Sequence, residues 1–282
     1  VIIPPSIPMI VYAGLTNAPV SSLFLAGFVP GILIGLGMMA VVYIISLKRG
    51  FPKYDMPSLK NFLQLLYESF PALLTPVIII GGIVSGLYTA TEAAAFASLY
   101  AFLISMFFYK TLKFRDIPEI LTETMTLSAL SLFALAAASA LGELLGYYRV
   151  ATLAEEFFTA YITEKWVFMG IVIAFFLFVG TFMDAIPAMI LFIPVLLPVA
   201  LKLGISSVTL GIVTVITLAI GLVTPPYGLC LLIAATIGDL SIERSFSAVL
   251  PYITVVLIVL IFVAFFPEIA FFVPRLINPQ LL

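Results

Sequence analysis

Asp184 sits in GTFMDAIP, a short polar turn between two apolar runs. A carboxylate there has two chemical uses. It can coordinate a cation, since intramembrane acids are costly and face cavities, or it can cap the helix beginning at Ala185. The residues alone leave both open. Farther on, GLVTPPYGLC (221–230) lies inside an uncharged run from Leu203 to Gly238. Pro225 and Pro226 lack N–H groups, and their rings clash with carbonyls one turn back. A helix must open there, with Gly221 and Gly228 either side. Freed carbonyls, with the Thr224 hydroxyl, form a hard-oxygen cage suited to Na⁺, and the half-helix beyond presents N–H groups and a positive dipole end to an anion.

Other chemistries fare worse. The sequence has a single cysteine, Cys230, which excludes an internal disulfide, and with no histidine beside it this argues against a zinc or haem site. A net charge of −2 with scattered bases argues against nucleic acid. Asp184 and Glu92 are the only deep acids, too few for an intramembrane enzyme. A channel would want rings of charge, which are absent. Glu92 follows Thr89 and Thr91, where it reads as part of a helix cap or as an ion or proton group. Glu143 reads as interfacial, and Trp166 beside Lys165 as an interfacial anchor.

The elements that position these residues are membrane helices. The composition is 63% hydrophobic and 9% charged, more apolar than a soluble core needs. Uncharged stretches of about 20 residues, the length of a span, recur along the chain, and the alternation of a membrane β-barrel is missing. Lys48, Arg49, Lys53 and Lys60 mark one loop and Lys110, Lys113 and Arg115 another; by the positive-inside rule both are cytoplasmic. Residues 22–47 then run inward, 71–89 outward, 92–109 inward, 120–147 outward, 208–237 inward and 246–272 outward. Residues 56–68 place Leu59, Phe62, Leu63, Leu65 and Leu66 on one helical side, which suits an interfacial arm or an ordinary connecting helix. Residues 166–201 fit either two full spans or a re-entrant hairpin with Asp184 at its tip. The chain starts at Val1 with an apolar Pro-Pro segment under way, and reads as a fragment lacking its natural N-terminus.

VIIPPSIPMIVYAG (1–14) aligns without a gap on LVTPPYGLCLLIAA (222–235). Pro4 meets Pro225, Pro5 meets Pro226 and, in the following spans, Pro30 meets Pro251. The crossing count runs the two copies in opposite directions. Inverted repeats with interrupted helices are a signature of secondary transporters, whose sites lie at the interruptions.

IIPPSIPMIVYAG, LFLAGFVPGILIG, TPVIIIGGIVSGLYTATEAAAFA, GTFMDAIPAMILFIPVLLPVALKLGI and IGLVTPPYGLCLLIAA together resemble the large membrane subunit of TRAP (tripartite ATP-independent periplasmic) transporters, DctM-type, of the ion-transporter superfamily. The resemblance covers essentially the whole chain. It implies an all-α polytopic membrane protein of elevator type, with re-entrant hairpins and discontinuous helices. Residues 1–48 and 165–273 would be two halves of a transport domain, 49–69 a cytoplasmic loop and arm helix, 70–164 scaffold helices and 274–282 a tail. The activity implied is Na⁺-driven import of organic acids (C4-dicarboxylate, sialic acid or keto acid) across a bacterial or archaeal inner membrane. A small membrane subunit and a periplasmic substrate-binding protein would be partners, and Na⁺ the coupling ion with no other cofactor. A second reading is a single-component dicarboxylate or citrate carrier of the same superfamily. One Na⁺ site would use the tip residues Gly180, Thr181 and Asp184 opposite Gly221, Thr224 and Tyr227. Another would use the Ile3 and Pro5 carbonyls against a first hairpin that, with the first scaffold helices, precedes this chain, so this chain alone should not transport. Pro4, Ser6, Pro225, Pro226 and Gly228 would shape the breaks and the substrate site. Tyr227 and Cys230 stand where the family has small or aliphatic residues, so no substrate preference carries over.

Overall fold

A computed structural model describes residues 1–52 and 58–277, and every regular element among them is helical. The helices are α1 Ile7–Thr16, α2 Val20–Arg49, α3 Leu59–Val84, α4 Ala90–Leu103, α5 Ile117–Tyr147, α6 Val150–Tyr161, α7 Lys165–Gly180, α8 Ala185–Lys202, α9 Ser207–Gly221, α10 Leu229–Ile237, α11 Ile242–Phe265 and α12 Glu268–Ile277. Helices α2, α3, α8 and α11, and α4 with the π-helical turn that prolongs it to Phe108, are long and apolar enough to cross a membrane. Their exposed faces carry large apolar side chains such as Met39, Leu73, Phe107 and Phe262. The chain is an all-α, multi-pass membrane protein.

Hydroxyl residues start many of these helices. Ser6, Ser58, Ser206 and Ser241 accept from the N–H three residues on, satisfying donors that a helix start leaves unpaired. Thr89 and Glu92 form a reciprocal capping box at α4: Thr89 N–H donates to Glu92 Oε2 at 2.7 Å, and Glu92 N–H to Thr89 Oγ1 at 3.3 Å. Glu92 is thus occupied as a cap.

The amphipathic stretch, read as an interfacial arm or an ordinary connecting helix, has no boundary of its own against the span that follows. From Leu59 it is the first part of α3, which continues through Pro71 and Pro76 to Val84; Met56 and Pro57 lie outside the described residues. Pro71 stands at the junction and the helix passes through it, the apolar spacing continuing into the span, so one helix serves both. At about 1.5 Å per residue, 26 residues exceed the roughly 30 Å of a bilayer core.

The chain divides into two compact units, Val1–Tyr43 with Phe133–Leu282, and Ile44–Leu132. In the smaller unit α3 and α4 form a hairpin. Tyr88 seats its ring against Gly82, Tyr100 donates to the Pro71 carbonyl at 2.8 Å and Tyr109 to the Glu68 carbonyl at 2.6 Å.

The larger unit is built round α9. Every α9 residue is buried except Ser207 and Ala219, which are partly so, and α1, α7, α8 and α11 pack on it. Between membrane helices close packing replaces the hydrophobic effect, and small residues permit it. Gly211 admits the Tyr12 ring from α1, and Gly221 admits the backbone of Gly180. At one end Trp166 stacks on Phe265 with centroids 5.5 Å apart, and Lys165 lies 4.5 Å from the Trp166 ring centroid. Lys202 at the end of α8 pairs with Glu155 of α6 at 3.0 Å.

Candidate functional site

The long uncharged run does not make one helix. α9 ends at Gly221, α10 starts at Leu229, and residues 222–228 between them are non-helical. Gly228 supplies a positive φ of 26° there, and a Cβ on it would lie 3.0 Å from the Thr224 carbonyl oxygen, so only glycine suits the position. The first Pro-Pro segment is built alike. Residues 1–6 are non-helical, α1 starts at Ile7, and both proline pairs are joined by cis peptides. In the alignment of the two segments, α1 and α10 end at matching residues, Thr16 and Ile237. Pro30 and Pro251 each fall inside the next helix, α2 or α11.

The turn between α7 and α8 meets the second break. A Cβ on Gly221 would lie 2.5 Å from the Gly180 carbonyl oxygen and 2.7 Å from its Cα, so the two backbones touch with no room for a side chain. Tyr227 N–H donates to the Thr181 carbonyl at 2.8 Å, tying the far side of the break to the same turn. Gly180, Thr181, Gly221 and Tyr227 therefore come together as one group, and Thr224 joins it through its N–H bond to the Gly221 carbonyl at 3.0 Å.

The oxygen chemistry of this group suits a hard cation. Among the described residues the carbonyls of Gly180, Val223, Thr224, Pro225, Pro226 and Tyr227 accept no hydrogen bond. Gly180 is buried, Val223, Thr224, Pro225 and Tyr227 are partly so and Pro226 is exposed; in an apolar surround, carbonyls without donors are costly unless something else satisfies them. The Thr224 hydroxyl donates to the Ile220 carbonyl at 2.8 Å and the Thr181 hydroxyl to the Phe178 carbonyl at 2.7 Å. Each spends its proton on its own helix and keeps oxygen lone pairs for another partner.

Asp184 takes the N-cap position of α8, but its side chain makes no capping bond. Its carboxylate has no hydrogen-bond or ion-pair partner among the described residues, and it is partly buried. The capping use foreseen for its side chain is not realised.

The half-helix N-termini are less open than expected. Cys230 N–H and Leu231 N–H donate to the Leu222 carbonyl at 3.0 and 3.4 Å, folding the break back on the start of α10. In α1, Ser6 is buried, and its hydroxyl accepts from Met9 N–H at 3.4 Å. Ser6 is thus a cap, and the dipole ends keep few free donors.

Ile3 and Pro5 lie on the first segment. The Ile3 side chain rests on Gly31 of α2, and the Ile2 carbonyl on Gly27; Pro4 is buried and Pro5 exposed. The Ile3 and Pro5 carbonyls accept no hydrogen bond among the described residues. Among the described residues no hydrogen bond joins them to the Gly180–Gly221 group. The two breaks instead border one apolar cavity of about 170 Å³, lined by Ile2 on one side and Ile220 and Val223 on the other, with Tyr252 its one phenol. The residues missed in the sequence are those that close the break, above all Leu222. A backbone carbonyl leaves no trace in residue type.

Residues 1–269 match the family model described as "Tripartite ATP-independent periplasmic transporter, DctM component". The chain belongs to this family. The DctM-family chain is 34% identical over 278 residues to the sialic acid TRAP transporter permease protein SiaT of Haemophilus influenzae, covering 99% of this chain and 45% of that one. It is 34% identical over 275 residues to the C4-dicarboxylate TRAP transporter large permease protein DctM of Pseudomonas aeruginosa, covering 98% and 64%. It is 36% identical over 273 residues to the isethionate TRAP transporter permease protein DctMQ of Oleidesulfovibrio alaskensis, covering 96% and 43%. The chain thus spans about half to two thirds of the length of these relatives. Membership places it among transporter permeases and not among enzymes.

Proposed function

We propose that this chain carries an ion-coupling and substrate-translocating part of a TRAP importer that takes up organic anions on a Na⁺ gradient by an elevator movement. The observation that carries the reading is the meeting of the α7–α8 turn with the α9–α10 break, where undonated carbonyls gather round touching glycines. In a bilayer such backbone survives only where protein or a watery cavity lines it. Na⁺ would sit between Gly180, Thr181 and Asp184 on one side and Gly221, Thr224 and Tyr227 on the other. The Ile3 and Pro5 carbonyls would contribute to a second ion position.

The depth of the break supports a re-entrant hairpin over two full spans. The α7–α8 turn touches the middle of the interrupted α9–α10 segment, not its end. At 16 residues and about 1.5 Å each, α7 is also shorter than a roughly 30 Å bilayer core. The opposite crossing directions of the two Pro-Pro segments fit an inverted repeat.

The relatives' names cover sialic acid, C4-dicarboxylate and isethionate, and an organic anion is their common chemistry. With Cys230 and Leu231 turned inward, the Ile7 and Leu229 N–H groups remain to meet such an anion. A periplasmic binding protein would deliver it, a small membrane subunit would stand alongside, and the assembly would sit in the inner membrane. The test is uptake by the full-length permease reconstituted with its small subunit and binding protein. Uptake should need both an inward Na⁺ gradient and the loaded binding protein. Uptake indifferent to Na⁺ sinks the ion site, and uptake without the binding protein favours a single-component carrier.

A further inference from the structure

Tyr12 is fully buried in the middle of α1, an unusual place for a phenol in an apolar helix. A buried tyrosine hydroxyl needs a partner, and this one reaches across to another helix. It donates to the Ser207 carbonyl, in the first turn of α9, at 2.7 Å and lies 3.5 Å from the Ser207 hydroxyl. The ring fills a slot that α9 opens for it. A Cβ on Gly211 would lie 2.6 Å from Tyr12 Cε1 and 2.8 Å from Cδ1. The Leu23 side chain of α2 closes on the same spot, 2.9 Å from that Cβ position.

The placement matters because of what the two helices adjoin. α1 begins directly after the Pro4-Pro5 segment, and α9 ends directly at the Pro225-Pro226 break. Tyr12 thus links the half-helix of one interruption to the helix that abuts the other, by a directional bond and a fitted ring. The aligned position in the second segment is Ile233, an exposed side chain without a hydroxyl, so the link belongs to one copy only.

We propose that Tyr12 is a positioning residue, fixing α1 on α9 so that the two interruptions keep one relative placement and bind their ions interdependently. The proposal deepens the Na⁺-site reading and rests on it. Removing the hydroxyl leaves the ring in its slot but frees α1 to shift along α9. Ion binding at one break then no longer prepares the other, while the oxygens of each remain.

The test compares Tyr12→Phe with wild type in the full-length, reconstituted transporter, using initial uptake rates across a Na⁺ series. Tyr12→Phe should raise the half-saturating Na⁺ concentration about threefold to tenfold, the scale of one buried hydrogen bond, and lower the Hill coefficient. Uptake at saturating Na⁺ should stay within about twofold. Gly211→Ala, which expels the ring, should move both quantities the same way and farther. A uniform fall in maximal uptake with unchanged Na⁺ dependence would make Tyr12 merely structural and overturn the proposal. Thr224→Ala separates the two readings. If it shifts the Na⁺ dependence and Tyr12→Phe does not, the link fails and the ion site stands; if neither does, both fail.

Discussion

Replacing Gly221 by alanine should be far worse than a single methyl suggests. The new Cβ would stand 2.5 Å from the Gly180 carbonyl oxygen and 2.7 Å from its carbon and Cα, all backbone atoms that no rotamer can move aside. Ordinary contacts need about 3.5 Å, so the ends of α7 and α9 must part by about 1 Å. Overpacking of this kind costs about 1–3 kcal/mol. Parting the helices also stretches the 2.8 Å bond from Tyr227 to the Thr181 carbonyl, a further loss of about 1 kcal/mol. Alanine's higher helix propensity returns up to about 1 kcal/mol, leaving a net loss of about 1–3 kcal/mol. Gly170, on the exposed face of α7, is the control. Nothing lies within 4 Å of its Cβ position, so Gly170→Ala should be neutral or stabilising by up to about 1 kcal/mol. Gly180→Ala, whose nearest contact is 3.2 Å, should fall between them. Thermal unfolding of the three full-length variants in one detergent gives the order, and uptake assays give the functional loss. The reasoning fails if Gly221→Ala melts with wild type, or if Gly170→Ala is equally harmful.

Three further outcomes follow from the same geometry. Thr224→Val keeps the volume but removes an oxygen beside the break, and should raise half-saturating Na⁺ about tenfold, the worth of roughly 1.4 kcal/mol, in a Na⁺ series of uptake rates. Asp184→Asn should leave the melting temperature in place, because the carboxylate makes no capping bond to lose, yet weaken Na⁺ dependence; an unchanged Na⁺ series would remove Asp184 from the ion site. Thr89→Ala breaks the capping box of α4 and should cost about 1 kcal/mol of stability with no change in Na⁺ dependence, and a shift in that dependence would return Glu92 to the ion-linked residues.

Much of this was legible in residue types. The double prolines announced the break between Gly221 and Leu229, and the glycine and polar residues of GTFMDAIP announced a turn. Thr89 followed three residues later by Glu92 is a capping box in plain sequence. What the sequence withheld is tertiary. The contact between Gly180 and Gly221 is backbone on backbone, and glycine codes for it only by having no side chain. The use of the Leu222 carbonyl by Cys230 and Leu231 depends on how the break folds back. The helix boundary near residue 68 was not legible, for a local reason. Amphipathic spacing marks which face is apolar, not where a helix stops, and α3 runs on into its span. Tyr12 did carry a signal, a phenol amid apolar residues, but its partner lies 195 residues away.

The account stands most directly on whether a cation sits where the turn meets the break. Cryo-electron microscopy of the full-length permease in Na⁺ buffer, and in a matched buffer with a bulky organic cation, would show it. The account predicts a compact density enclosed by oxygens of Gly180–Asp184 and Gly221–Tyr227, present in Na⁺ and absent without it. Residues 222–228 closed on themselves with no density in either buffer, or a Na⁺-dependent density elsewhere, would contradict it.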